Sequence, residues 1–297
     1  MIKVSNPNWL VYTISGFAAL AGLLFGYDTG IISGAILFIE KDFALTNFQI
    51  EMVVSAVLLG ALIGSGLSGR VSDIFGRRKV LVFTAVTFII GSLATAFSPS
   101  LIFLIVGRII LGVAIGIGSF TAPLYLAEIA PKRIRGMLVS LNQLAITIGI
   151  VISYLINYYF SVTGQWPWML GLGVVPAIIL LLGTIYLPES PRWMILKGWD
   201  QKARAVLQRI RHGENINNEF DEIRQTVAIE KGTHRLLLAK WLRPILFISL
   251  GLSFFQQVTG INAIIYYAPT ILKMAGFKYA SNAILATLGI GIINVLF

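Results

Sequence analysis

Apolar residues along the chain come in runs of roughly 20 separated by short polar punctuation, the length a helix needs to cross about 30 Å of hydrocarbon at 1.5 Å per residue. The pattern predicts eight spans: Leu10 to Ile39, Ile50 to Gly69, Val80 to Phe97, Leu101 to Ala127, Met137 to Phe160, Trp168 to Leu187, Ile245 to Gly276 and Ala280 to Phe297. Most connections are short, which makes neighbouring helices antiparallel. The exception runs from Pro188 to Pro244 and is rich in charge. Within it, Asp200 to Arg211 and Glu219 to Glu230 have helical spacing with modest apolar faces and read as short amphipathic helices on the cytoplasmic surface. The expected organisation is a six-helix bundle over 1–187, a linker over 188–244 and further spans over 245–297.

Composition agrees. Of 297 residues, 57% are apolar and 12% charged, with a mean hydropathy of +0.83, whereas soluble chains are about a quarter charged. The fold class is therefore an all-α polytopic membrane protein. The net charge of +10 would suit nucleic acid, but its placement argues otherwise: with a cytoplasmic N-terminus, 19 of the 23 Lys and Arg residues fall on the inner side. That is the positive-inside bias, so the charge faces anionic lipid of the cell membrane. The first span is too long for a signal-peptide core, lacks a small-residue cleavage site and should be retained. No cysteine is present, which excludes disulfides, thiolate catalysis and cysteine metal sites. The two histidines, His212 and His234, lack partners at a ligand spacing, so no metal is expected. No nucleophile–base pair or phosphate-binding loop points to an enzyme.

Charge inside a span is the most informative chemistry, because insertion costs roughly 2.5 to 3.5 kcal/mol per group. Asp28 lies roughly 16 Å and Arg108 roughly 10 Å from the outer helix ends, so the two can pair. Pairing favours the carboxylate and desolvation favours the neutral acid, a balance that suits proton uptake and release; a static register-fixing pair is the alternative. The seventh span carries Gln256, Gln257, Thr259, Asn262, Tyr266 and Tyr267. Amides offer donors and acceptors without charge, suited to a neutral polyhydroxylated ligand, although interhelical bonding alone can explain any one of them. Gln143 and Asn142 in the fifth span are similar. Gly260 and Pro269 predict local unwinding or bending beside the amide cluster. Gly60 and Gly64, with Gly112 and Gly116, predict close helix packing. A weak repeat relates Phe25–Ile31 to Phe255–Ile261 at an offset of 230 residues, consistent with duplicated halves. On the inner side, Asp73 in the loop Gly69 to Lys79, Glu128 and Arg135 around Pro131, and Glu189 with Arg192 after span six bring acid and base to three helix ends, enough for a latch only if they form a network.

These segments together resemble the sugar porter family of the major facilitator superfamily: Phe25 to Gly30, Gly69 to Lys79, Gly107-Arg108, Ala127 to Gly136, Pro188 to Trp193, and Gln256 to Asn262. The resemblance implies a major facilitator superfamily-like fold with two bundles, alternating access and a hexose or pentose held at mid-membrane. It implies that Gln143, Gln256, Gln257 and Asn262 bind sugar hydroxyls, with Tyr266 in the outer gate. Asp28 matches the position that is acidic in proton-coupled members, with Arg108 as its partner. Asp73, Arg77, Glu128, Arg133, Arg135, Glu189 and Arg192 match the cytoplasmic charge network, with Ile74 departing from the usual basic residue. Twelve spans are expected of the family, so the chain reads as a complete N-terminal bundle plus the first two helices of a C-terminal one, truncated within the eighth span. The expected activity is monosaccharide transport by sugar:proton symport, without a cofactor and with the proton as coupling ion, by a monomer in the lipid bilayer of the cell membrane. A facilitator, a non-transporting sugar sensor and a degenerate fragment are the alternatives.

Overall fold

The computed structural model describes residues 9–211, 216–230 and 242–296, which form helices and connecting turns with no strand among them. His212 and His234 lie outside the described residues. The first five spans are α1 (Trp9–Asp42), α2 (Asn47–Phe75), α3 (Arg77–Ala96), α4 (Leu101–Ile129) and α5 (Arg135–Ser161), and the sixth is divided into α6 (Trp166–Gly171) and α7 (Val174–Tyr186). The linker carries α8 (Pro191–Leu196), α9 (Asp200–Arg211) and α10 (Asn217–Glu230), followed by α11 (Arg243–Val258), α12 (Ile261–Met274) and α13 (Ala280–Leu296). Counting α6 with α7 and α11 with α12, seven stretches among the described residues are long and apolar enough to cross a membrane, and α13 is a shorter apolar helix.

Local chemistry explains the helix ends. Thr46 and Gln49 form a reciprocal capping box at the start of α2, and the Ser100 and Ser190 hydroxyls cap α4 and α8. Span six is broken where the apolar pattern predicts continuity. Pro176, in the first turn of α7, has no N–H to offer the carbonyl of Leu172, so the ladder cannot run through. Span seven breaks at Gly260, whose φ of 73° places it in the left-handed region with open space around it.

Small residues set the crossings. A Cβ on Gly60 would lie 2.1 Å from the carbonyl oxygen of Ile109, and one on Gly112 would lie 2.1 Å from that of Val57, so α2 and α4 meet backbone to backbone. Gly22 and Gly26 do the same for α1 against α5, a Cβ on Gly26 lying 1.8 Å from the Ile146 oxygen, while Gly30 and Gly34 make room for the Ser153 and Asn157 side chains. These crossings bring the first six spans around a shared core that includes Ile14, Leu24, Phe88, Tyr125 and Leu180. At the end of the bundle remote from the linker, the Trp166 indole donates to Asp42 at 2.6 Å and tilts against Phe43.

The predicted amphipathic helices dock rather than lie free. Leu207 and Ile210 of α9 and Phe220 and Val227 of α10 join the bundle core from below. Buried Arg211 grips Glu219 at 2.8 and 2.9 Å and donates to the carbonyl of Ile129 at the end of α4 at 2.9 Å. Lys132 pairs with Glu222 nearby. Beyond the linker, α12 packs on α1, α13 packs on α5 and α12, and α11 buries none of its residues.

Candidate functional site

The two intramembrane charges meet. Arg108 donates from Nη1 to Oδ1 of Asp28 at 2.5 Å, and both residues are almost wholly buried, at 0% and 2% exposure. A second donor, Nε of Arg108, reaches the carbonyl of Val53 at 3.4 Å. Neither Oδ2 of Asp28 nor Nη2 of Arg108 has a partner. The pair is thus single-stranded rather than bidentate, leaving one buried carboxylate oxygen uncommitted. The residues on either side of Asp28 are held elsewhere: the Tyr27 hydroxyl donates to the carbonyl of Met169 at 2.6 Å, and that of Thr29 donates to the carbonyl of Phe25 at 2.8 Å. Tyr266 is buried in the same cluster as Tyr27 and Ile31, so α12 lies against α1 close to the ion pair.

A cleft of about 690 Å³ opens next to this pair, between α1, α2, α4 and the broken span seven. Gln257, Asn262 and Tyr266 line it with Phe25, Ser65 and Ser119. The side chains of Gln257 and Asn262 bond to each other at 2.9 Å across the Gly260 break. An apolar wall with a few convergent amides and hydroxyls is the usual make-up of a small-molecule site. Gln143 and Gln256 are exposed and do not line this cleft. Phe25 was not singled out as a lining residue in sequence reasoning, although its place one turn before Asp28 puts both on adjoining faces of α1.

At the end of the bundle that meets the linker, Arg77 is the hub. It donates to both carboxylate oxygens of Glu128, at 2.9 and 3.0 Å, and to Asp73 and the carbonyl of Ser72, each at 3.1 Å. Glu189 accepts the backbone N–H groups of Arg77 and Ser190 at 2.9 Å and of Arg78 at 3.2 Å, capping the start of α3. Burial pushes the Glu189 carboxyl above its ordinary range, against those donors and the Arg77 charge. The indole of Trp193 donates to the carbonyl of Asp73 at 2.9 Å. Arg78, absent from the predicted network, donates to the carbonyls of Thr184 and Ile185 at the end of α7. Arg133 and Arg135 are exposed and stay outside this cluster, since the turn after Pro131 directs them to solvent. Arg192 is half-buried in α8.

Among the described residues no group of His, Asp and Glu could hold a metal ion. Comparison with known proteins gives a consistent result. The family described as "Sugar (and other) transporter" matches residues 14–297. A probable metabolite transport protein of Bacillus subtilis, CsbC, is 49% identical over 96% of this chain and 62% of its own length. A D-xylose transporter of Levilactobacillus brevis is 49% identical over 94% and 62%. The proton:xylose symporter XylE of E. coli, solved with 6-bromo-6-deoxy-D-glucose, superposes with a TM-score of 0.87 at 32% identity, over 96% of this chain and 67% of that one. The chain thus spans a little over three-fifths of the length of the curated relatives it matches. On these grounds, the chain belongs to the sugar porter family of the major facilitator superfamily, a family of transporters rather than enzymes.

Proposed function

We propose that the chain carries the proton-coupling half of a sugar:proton symporter, with a hexose or pentose bound in the cleft by Gln257 and Asn262 and gated by Tyr266, and with Gln143 and Gln256 turning inward when the second bundle closes. The observation that carries this reading is the buried, single-stranded Asp28–Arg108 pair. A static pair gains most from two strong bonds; one left open at Oδ2 offers a proton a site on the carboxylate without first breaking the Arg108 contact. Protonation removes the negative charge, and Arg108 is then held mainly by the Val53 carbonyl. Leaving a buried cation without its counterion is strongly unfavourable, so the protonated state favours rearrangement of α1 against α4 and of the Tyr266 helix packed on α1.

The Arg77, Glu128 and Glu189 cluster holds the inner ends of α2, α3, α4 and α8 together while this happens, with Asp73 at its edge. Residues 1–187 act as one bundle, 188–244 as its cytoplasmic cover and 245–297 as the start of the second bundle, in a monomer of the cell membrane with its N-terminus inside. The basic inner loops support that orientation. One proton entering down 100 mV contributes about 2.3 kcal/mol, enough for ~50-fold accumulation. The test is Asp28→Asn in vesicles, with the chain extended to the length of its relatives. The variant should keep sugar exchange and lose pH-driven accumulation; undiminished accumulation would overturn the assignment, and pH-independent flux in the parent would make the protein a facilitator.

A further inference from the structure

Pro269 lies inside α12 and carries no N–H, so the carbonyl of Ile265, four residues earlier, has no helical donor. Ile265 is buried, where a missing donor is expensive and water is scarce. The donor comes from another span. Tyr154 of α5, 1% exposed, directs its hydroxyl to the Ile265 carbonyl oxygen at 3.3 Å. Its ring packs with Ile150 and Ile265 and lies over Gly291 of α13, where a Cβ would come within 3.1 Å of the ring. The next residue of α12, Tyr266, is buried in a cluster with Tyr27 and Ile31 of α1. Consecutive residues of α12 thus pack on two different helices of the first bundle.

We propose that Tyr154 is a positioning residue that clasps α12 onto the first bundle by supplying the donor Pro269 withholds. The hydrogen bond is long for a hydroxyl and a carbonyl, so a small displacement of α12 releases it. When α12 swings away, its carbonyl meets water and needs no tyrosine. The proline therefore makes the docked position depend on α5: without it, the helix would satisfy its own carbonyl and be indifferent to Tyr154. Under the transport reading this clasp biases the outer gate toward closure, but its existence does not require transport.

The chain contains no cysteine, so one introduced at Ala268, 2% exposed on α12, reports opening by its reaction with a membrane-impermeant maleimide. Labelling in vesicles needs neither sugar nor proton movement, so a failed clasp can be told from a failed transport assignment. Tyr154→Phe keeps the ring and removes the donor; it should accelerate labelling about 2- to 10-fold. Pro269→Ala restores the N–H, and in that background the same Tyr154→Phe change should alter the rate by less than about twofold. Unchanged labelling in Tyr154→Phe, or equal acceleration by it in both backgrounds, overturns the proposal.

Discussion

Arg77 holds Glu128 through two guanidinium nitrogens, Nε and Nη2, while its own backbone N–H is held by Glu189. One residue thus joins the start of α3 to the end of α4 and to the segment after α7. Lysine cannot reproduce that fork. Arg77→Lys should shift the linker-side face toward opening by about 10-fold, equivalent to ~1.4 kcal/mol, read as faster thiol labelling of a cysteine placed at Ser72. An unchanged rate would show that the latch does not depend on the fork.

Glu189 makes the same cluster pH-sensitive. Its carboxyl titrates higher in the fold than in the unfolded chain, because burial outweighs the backbone donors and the Arg77 charge. The folded state therefore binds the proton more readily, and stability falls as pH rises from the ordinary carboxylate range through the raised value. Thermal unfolding in detergent should show this fall in the parent and a shallower one in Glu189→Gln. Parallel curves would refute the assignment.

Gly112 tests the backbone contact between α2 and α4. An added methyl would meet the Val57 oxygen, the Gly60 Cα and the Ala61 nitrogen, none of which can rotate away. Gly112→Ala should destabilise by about 1–3 kcal/mol, whereas Gly66→Ala, with nothing within 4 Å, should be neutral or stabilise by up to ~1 kcal/mol. Unfolding midpoints in detergent distinguish the two.

Arg211 fastens the linker to the membrane bundle. Arg211→Ala strands the Ile129 carbonyl and leaves Glu219 without its partner, which should cost about 2 kcal/mol and expose the linker to protease. Cleavage between α9 and α10 at the parent rate would contradict this.

Features that depend on composition along a span could be read from the sequence. Asp28 and Arg108 are conspicuous in apolar helices at comparable depth, and the glycine pairs of α2 and α4 sit at a spacing that places them on one helix face. The repeat was less informative. Thr29-Gly30 and Thr259-Gly260 look alike, yet Gly30 stays helical because α5 presses on it, with Ser153 Oγ 2.0 Å from where a Cβ would be, whereas Gly260 has open space and ends its helix. Identical local chemistry diverged because the tertiary neighbours differ. The contacts that escaped sequence reasoning are mostly from side chain to backbone across great separation: Arg78 to the end of α7, Arg211 to Ile129 and Tyr154 to Ile265. A carbonyl leaves no mark in residue identity, and Pro269 was read only as a point of bending, not as a residue that leaves the carbonyl of Ile265 without its helical donor. Arg133 and Arg135 show the converse error, since basic residues near a latch need not face it.

Proton movement accompanying sugar entry is the most direct test of the Asp28 assignment. In lightly buffered vesicles carrying the protein at the length of its relatives, adding D-xylose or another transported monosaccharide should alkalinise the outer medium in step with uptake, and Asp28→Asn should abolish the pH change while sugar exchange continues. Sugar uptake by the parent with no alkalinisation, or an equal pH change in Asp28→Asn, would contradict proton coupling through the Asp28–Arg108 pair.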